Sequence, residues 1–364
     1  MVTRVPYVDL PAQHRPLEEE ILVAVRKVLA HGQFILGPEV EAFEEAVARY
    51  LGVPHVVGVA SGTDALVLAL RLRDVGPGDE VLLPSHSFVA TAHAVALTGA
   101  APVFVDVEAE RLLMDPAGLE NALSDRSRAL VPVHLGGHPC DMDALTAFSR
   151  KHGLELVEDC AQAVGTRWKG RSVGDFGLGC FSLHPLKTLS APGDGGFLTV
   201  HDPDEVERLG RMRNLGLRDR DHADQISGHS RLDTLHAAIL LVKLRHLDVY
   251  LEARRSHAAA YREALGPTYR LISVPPAAEP SHSTFVVRHP ERDRILREVR
   301  AKGFDVKVHY PVPIHRQAPY GQNRNWSLPE TDRAAAEIMS LPVTPELGVG
   351  DRDRLIDVLL DAAS

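Results

Sequence analysis

The chain has 364 residues, 45% of them hydrophobic and 24% charged, which is typical of a globular protein long enough for two domains. Its formal net charge of −9, without a local basic tract, argues against nucleic acid as the main partner. Because no run approaches 18 apolar residues and the amino terminus lacks the apolar core of a signal peptide, we expect a cytoplasmic protein without a membrane anchor.

The first predicted elements are two amphipathic helices. Apolar residues recur at helical spacing over residues 17–30, and Gly32 ends this helix. An apolar loop at 33–38 then leads into a second helix over 39–50.

A short β-branched strand at residues 56–59 runs directly into Ser-Gly-Thr-Asp at 61–64. Ser61 suits the cap of a helix that begins here. The pattern is typical of a well-capped helix, and the free N–H groups of such a helix start also form an anion cradle for phosphate.

Strands and helices continue to alternate through the middle of the chain. We expect strands at residues 81–83, 103–107, 129–133 and 154–157, and helices at 88–97 and 143–152. This alternation predicts a parallel sheet covered on both faces, with ligands at the carboxyl ends of its strands. Phe88 and the pair Glu158-Asp159 stand at such ends, where they suit a core aromatic and a helix cap as well as a binding site.

One lysine lies between a strand and a glycine-rich turn in CFSLHPLKTLSAPGDGG at residues 180–196. Pro185 ends the strand, Lys187 follows in a loop, and a second strand is expected at 197–200. A lysine partly desolvated in such a loop loses its proton more readily, and its free amine is then a nucleophile for Schiff-base chemistry.

The carboxyl-terminal third predicts a bridge and a smaller unit. A charged segment at 204–220 precedes one long helix at 234–265, and a proline-rich stretch follows at 274–280. The last unit shows a strand, a helix, a second strand and two closing helices; the first three are expected at 283–288, 292–302 and 306–310. We therefore predict a large α/β domain over residues 1–233, a bridging helix over 234–265 and a small α+β domain over 266–364.

Neither cysteines nor histidines predict a metal site. Cys140, Cys160 and Cys180 are odd in number and well separated, which suits a reducing compartment better than a disulfide framework. The 19 histidines are scattered and show no metal-ligand spacing, so we expect no metal.

Eight segments, in order from about residue 5 to about 350, resemble the DegT/DnrJ/EryC1/StrS sugar aminotransferases of the aspartate-aminotransferase superfamily. The segments are GQFILGPEVEAFE (32–44), SGTDALVLAL (61–70), GDEVLLPSHSFVATAHAV (78–95), GAAPVFVDV (99–107), VEDCAQAVG (157–165), FSLHPLKTLSAPGDGG (181–196), SRLDTLHAAI (230–239) and HYPVPIHRQ (309–317). The resemblance implies an α/β fold of the pyridoxal-phosphate-dependent fold type I, with a mostly parallel central sheet flanked by helices and a smaller carboxyl-terminal α+β domain.

The resemblance also implies roles at the cofactor, pyridoxal 5'-phosphate. Lys187 would hold it covalently and move the proton, and Asp159 would face the pyridine nitrogen and keep it protonated. The matching Gly62 and Thr63 would hold its phosphate, and Phe88 would stack on its ring. Two further members of the implied cofactor set are Gln162, beside the phenolic oxygen, and Ser182.

Four histidine and tyrosine positions complete the implied site. Where the family usually carries an asparagine that reaches the partner subunit's cofactor phosphate, this chain has His229, whose imidazole can also donate to phosphate. His309, Tyr310 and His315 match a segment at the mouth of the site and are candidates for substrate contact. Histidines in an ordinary proline-rich turn explain the same pattern.

By resemblance, the protein transfers an amino group from glutamate or glutamine to a nucleotide-linked keto-sugar, most closely a dTDP-3-keto-6-deoxyhexose, and acts as a homodimer with composite sites. The alternatives within enzymes are a 4-keto-sugar nucleotide and a keto-cyclitol. Dehydratases of the family replace this lysine with histidine. Because Lys187 is intact, a dehydratase is the less favoured interpretation. A cofactor-binding regulatory protein without turnover is the alternative of another class.

Overall fold

The computed structural model describes residues 4–321 and 326–364, and its largest element is a seven-stranded sheet. The strands in chain order are β1 His55–Val59, β2 Glu80–Pro84, β3 Ala101–Val105, β4 Ser127–Leu130, β5 Glu155–Asp159, β6 Arg167–Trp168, β7 Arg171–Ser172, β8 Leu178–Ser182, β9 Gly196–Val200, β10 Arg270–Leu271, β11 Ala278–Glu279, β12 Phe285–Arg288 and β13 Ile338–Leu341. The large sheet has the order β1-β9-β8-β5-β4-β2-β3, and within it only β9 runs antiparallel to its neighbours. The mostly parallel α/β fold predicted from the sequence is confirmed.

Helices cover both faces of this sheet. In chain order they are α1 Leu10–His14, α2 Glu18–His31, α3 Pro38–Leu51, α4 Gly62–Leu72, α5 Ala90–Thr98, α6 Leu119–Ala122, α7 Met142–His152, α8 Pro203–Met212, α9 Thr234–Leu244, α10 Leu247–Leu265, α11 Arg292–Ala301, α12 Pro329–Glu337 and α13 Val349–Ala363. On one face, α4, α5 and α8 share an apolar cluster with the strands. On the other, α3, α9 and the start of α10 do so. Strands buried on both faces explain the continuous apolar runs in the sequence.

Strand β9 contributes apolar side chains to the clusters on both faces of the sheet. Leu198 belongs to the cluster beneath α4, whereas the preceding Phe197 belongs to the cluster beneath α3. The Phe197 ring stacks on Phe181 of β8 with centroids 4.5 Å apart and meets Phe43 of α3 edge-on at 6.2 Å. Side chains that alternate across a strand thus fix the register of β8, which leads into Lys187.

The single helix predicted over residues 234–265 is wrong in one respect, since the structure divides it into α9 and α10. The division lies at Arg245 and His246, where the His246 N–H donates to the Lys243 carbonyl three residues back at 3.1 Å. The tighter turn redirects the chain, because α9 packs against α2 and α3 whereas α10 reaches α13.

A second correction concerns residues 306–310, which were expected to form a strand. The small carboxyl-terminal sheet has the order β10-β12-β13, and residue 307 meets it only through an isolated bridge between Lys307 and Ser340. The segment leaves the sheet here because it runs on to the cavity, which Lys307, His309 and Tyr310 help to line.

Helix α10 contacts two cores. Leu247 and Leu251 pack into the cluster beneath the large sheet, whereas Tyr261 and Leu265 belong to the carboxyl-terminal cluster. The amino-terminal segment joins the second cluster through Val5. The division at residues 233 and 265 stays a prediction. Over residues 4–321 and 326–364, no helix combines the length and apolar character needed to cross a bilayer.

Candidate active site

A cavity of about 520 Å³ opens where the carboxyl ends of β1, β2, β4, β5 and β8 meet. Nine of the residues predicted from the sequence line it: Gly62, Thr63, Phe88, Asp159, Gln162, Ser182, Lys187, His309 and Tyr310. These residues come from segments up to 248 positions apart (310 minus 62), so the fold assembles them. His229 and His315 are not among the lining residues.

The start of α4 forms one end of the cavity. Ser61 caps this helix, because its Oγ accepts a hydrogen bond from the Asp64 N–H at 3.0 Å. The amides of the first turn have no acceptor within a helix and point out of its end, where the dipole favours an anion. Ser182, at the end of β8, lies directly against Gly62. This end of the cavity therefore suits a phosphate.

The close approach of Gly62 to β8 yields a prediction. A Cβ at position 62 would lie 2.7 Å from Ser182 Cβ and 3.1 Å from its Cα, so Gly62→Ala must push the helix start away from β8. Because the displaced amides no longer converge on the anion, we expect the Kd for pyridoxal phosphate, titrated by absorbance, to rise about tenfold or more. Gly210→Ala is the control, since its Cβ meets nothing within 4 Å. An unchanged Kd in Gly62→Ala would contradict the assignment of this helix start.

Lys187 is half-buried on the wall of the cavity. It follows β8 in a turn that its own N–H closes by donating to the His184 carbonyl at 2.9 Å. Burial lowers the pKa of the Lys187 amine, and the negative charge of Asp159 opposes this shift. A larger share of the amine is therefore neutral, and so nucleophilic, than for a lysine in water.

Asp159 ends β5 and is only 5% exposed. Its Oδ2 accepts from the Thr91 hydroxyl at 2.8 Å and its Oδ1 from the Ala161 N–H at 3.1 Å. Burial raises the pKa of this carboxyl, whereas Thr91, Ala161 and Lys187 oppose the rise. A buried carboxylate facing a cavity gains most from a cation, and a protonated ring nitrogen is such a cation. Thr91 was not predicted from the sequence, because 68 residues separate it from Asp159.

The neighbouring Glu158 has a structural role. Its carboxylate accepts from the backbone N–H groups of Gly174, Phe176 and Gly177, each at 2.9 Å, and lies 3.1 Å from His134 Nε2. Together with Cys160, Glu158 and His134 form the one cluster of three potential metal ligands found among the described residues. Because both Glu158 oxygens already accept hydrogen bonds from the protein, the group is explained by packing of the loop before β8.

Aromatic and amide groups face each other across the rest of the cavity. The Phe88 side chain is 54% exposed, and its ring centroid lies 5.6 Å from that of Tyr310. Gln162 accepts from the Gly136 N–H at 2.7 Å and donates to Tyr310 Oη at 3.1 Å. Burial, followed by the charges of Lys187 and Lys307, lowers the pKa of His309 to about 4, so this imidazole is neutral at pH 7.

The amino-terminal segment supplies a lining residue that sequence reasoning missed. Tyr7 lines the cavity, and its hydroxyl lies 2.5 Å from Thr284 Oγ1, 277 residues away. Burial raises the pKa of Tyr7 to about 12. Ser283, Thr284 and Thr344 line the same side. No local pattern in the sequence marks these positions, because the segments meet only in the folded chain.

The structure places His315 away from the cavity, and its contact with substrate stays a prediction. This side chain is 2% exposed and lies outside the cavity, with Nδ1 2.7 Å from Ser85 Oγ and Nε2 3.2 Å from an Asp332 oxygen. His315 therefore joins the turn after β2 to α12. His229 is exposed, and its backbone bridges Asn214 outside the cavity. Its contact with a partner's phosphate stays a prediction.

The residues present fit pyridoxal phosphate. The cavity volume is within the range of small-molecule sites, and Asp159 offers a buried acid that forms no ion pair with another described residue. Lys187 offers an amine on the same cavity, and the start of α4 offers amides for the phosphate. Phe88 is exposed on the lining, where a flat ring can stack.

Comparison with known proteins agrees with this fit. The model of the DegT/DnrJ/EryC1/StrS aminotransferase family matches residues 16–360. A dTDP-3-amino-3,4,6-trideoxy-alpha-D-glucose transaminase of Streptomyces venezuelae is 42% identical over 365 residues, which cover 99% of this chain and 96% of that protein. A UDP-N-acetyl-3-dehydro-alpha-D-glucosamine 3-aminotransferase of Acidithiobacillus ferrooxidans is 42% identical over 347 residues, or 95% and 94% of the two chains.

A solved structure shows the same fold almost throughout. The crystal structure of S. venezuelae DesV in complex with a ketimine intermediate superposes with a TM-score of 0.97 at 42% identity and covers 100% of this chain and 99% of that one. The sequence matches, the superposition and the chemistry of the cavity agree, and the chain belongs to the DegT/DnrJ/EryC1/StrS family as a pyridoxal-phosphate-dependent aminotransferase.

Proposed function

We propose that the protein transfers an amino group from glutamate or glutamine to the 3-keto group of a nucleotide-linked sugar, most closely a dTDP-3-keto-6-deoxyhexose. One observation carries the amino-transfer chemistry, namely that Lys187 and Asp159 line one cavity and shift each other's pKa. The sugar class is supported by the names of the two relatives, both of which specify position 3 of a nucleotide sugar.

Within this proposal, Lys187 is the covalent anchor and the proton carrier. Pyridoxal phosphate, when bound, supplies an aldehyde for a covalent bond and a ring that accepts electrons. Lys187 Nζ, whose neutral form burial favours, would hold the cofactor, and once freed by an amino donor it would take and return a proton.

Asp159 would hold the ring of the cofactor. Its carboxylate would keep the ring nitrogen protonated, and the hydrogen bonds from Thr91 and the Ala161 N–H fix the orientation of that carboxylate. Gln162 is itself held by Gly136 and Tyr310, and its amide would contact the ring oxygen of the cofactor. The N–H groups of Gly62 and Thr63, together with the Ser182 hydroxyl, would hold the phosphate. Tyr310 and the neutral His309 face the substrate.

A homodimer with composite sites is part of the proposal. The loop before α3 is apolar yet exposed, since Phe34, Ile35 and Leu36 are 44%, 48% and 41% exposed. A second copy of the chain that covers this loop would bury it, and His229 is exposed and free to donate to the partner's phosphate. Sedimentation is expected to show a dimer, and fully active monomers would contradict the composite site.

Product analysis with a panel of keto-sugars tests the function. Cofactor-loaded protein, glutamate and a dTDP-3-keto-6-deoxyhexose are expected to yield the amino-sugar nucleotide, with kcat/KM at least about tenfold above that for the 4-keto isomer. A preference for the 4-keto isomer or for a keto-cyclitol would contradict the 3-keto assignment and identify that compound as the substrate class instead. A protein whose cofactor absorbance no amino donor changes would instead be the binding protein without turnover.

A further inference from the structure

Lys243 is a buried cation that the chemistry described above does not use. It lies on α9 and is 2% exposed, and it is not among the residues that line the cavity. Its Nζ donates to Ser190 Oγ at 2.6 Å, and Ser190 is itself fully buried. Since a buried ammonium is costly unless it is paired, this contact calls for a specific reason.

Ser190 lies in the loop that carries Lys187, only three residues further along the chain. Backbone hydrogen bonds hold both ends of this loop, because the Leu183 N–H donates to the Gly195 carbonyl at 2.8 Å and the Ala191 N–H to the Leu183 carbonyl at 2.7 Å. Between these points the hydroxyl of Thr188 has no hydrogen-bond partner among the described residues. The hydrogen bond from Lys243 thus connects α9 to the loop at Ser190, next to Ala191.

A residue of the carboxyl-terminal segment supplies a charge that acts on Lys243. Burial lowers the pKa of Lys243 to about 8, and the charge of Glu346 opposes the shift. Glu346 lies two residues after Thr344, which lines the cavity, and its Oε1 accepts from the Asp9 N–H at 3.3 Å. Lys243 is therefore linked to the lysine loop by a hydrogen bond and to a residue near the cavity lining by charge.

We propose that Lys243 is a positioning residue for Lys187: its hydrogen bond to Ser190 fixes the loop in the conformation that holds the Lys187 amine half-buried on the cavity wall. This inference rests on the role of Lys187 in the proposed function. A loop released from α9 exposes Lys187 to water, which returns the amine toward the behaviour of an ordinary lysine.

The test uses cofactor-free protein, so that it does not depend on any sugar. Trace acylation with acetic anhydride between pH 7 and 10, followed by mass spectrometry of the peptide, gives the titration midpoint of Lys187. Ser190→Ala and Lys243→Met are each expected to raise this midpoint by about half a unit or more, which lowers the neutral fraction of Lys187 at pH 7 about threefold. The double variant is expected to match the single ones, because all three break the same bond.

Ser149→Ala is the matched control. Ser149 lies on α7, is 5% exposed and donates to the carbonyl of Leu154 beyond the helix end at 2.6 Å. Its substitution therefore removes a comparable hydrogen bond without touching the loop. The control is expected to lower the melting temperature and leave the Lys187 midpoint unchanged. An unchanged Lys187 midpoint in Ser190→Ala would overturn the proposal. If Lys243→Met does not fold, the result for Ser190→Ala is sufficient to test it. A failure to aminate keto-sugars would instead leave the labelling result intact.

Discussion

Lys187→Ala is expected to lower kcat for amino transfer by at least about 10³-fold while the fold is retained. The variant loses both the covalent anchor and the proton carrier. Lys307 also lines the cavity, but its Nζ forms an ion pair with Asp305 Oδ1 at 2.7 Å. Among the described lining residues, Lys187 is thus the one lysine without an ion pair. Turnover is measured by product formation, and the fold by circular dichroism and melting temperature.

Lys307→Met is the control for this variant, since it removes an amine from the same cavity. We expect it to retain the covalent attachment of the cofactor and the associated absorbance, both of which Lys187→Ala loses. If Lys187→Ala aminates a keto-sugar at the wild-type rate, the role given to this residue is wrong.

Asp159→Asn is expected to lower kcat by about 10²- to 10³-fold, the range seen when a group that stabilises developing charge is removed. The amide has the shape of the carboxylate and can still accept from Thr91 or the Ala161 N–H, but it carries no charge to keep a ring nitrogen protonated. Thr91→Val is the control, because it leaves the charge and removes one neutral donor; we expect a loss of about tenfold or less. Equal losses in the two variants would contradict an electrostatic role.

The same substitution has a predicted effect on stability. Burial raises the pKa of Asp159 in the folded protein, so ionisation of this group costs stability as the pH rises through the unfolded and then the folded pKa. Asp159→Asn removes that cost. The cofactor-free variant is therefore expected to melt at or above the wild-type temperature at pH 7, which calorimetry checks, although its activity falls.

The predictable parts of the site are those in which a short segment carries the whole signal. The strand, turn and glycines around Lys187, and the cap at Ser61 before Gly62, are both local, and the parallel sheet then brings their ends together. Thr91 and Tyr7 could not be found in this way, because each contacts the site across a long separation in sequence.

The differences between the structure and the sequence-based expectations have a common physical cause. Periodicity reports that a segment is buried but not against which neighbour, so the turn at Arg245 and His246 was read as continuous helix. Likewise, a histidine beside a functional segment can face inward as well as toward the cavity. His315 does face inward, where Ser85 and Asp332 contact it.

Reduction of the cofactor-loaded protein with borohydride, followed by peptide mass spectrometry, tests the covalent role of Lys187 most directly. The predicted result is a phosphopyridoxyl group on the peptide that contains Lys187, and on that lysine alone. A label on Lys307 or Lys243, or colour that dialysis removes and borohydride does not fix, would contradict it.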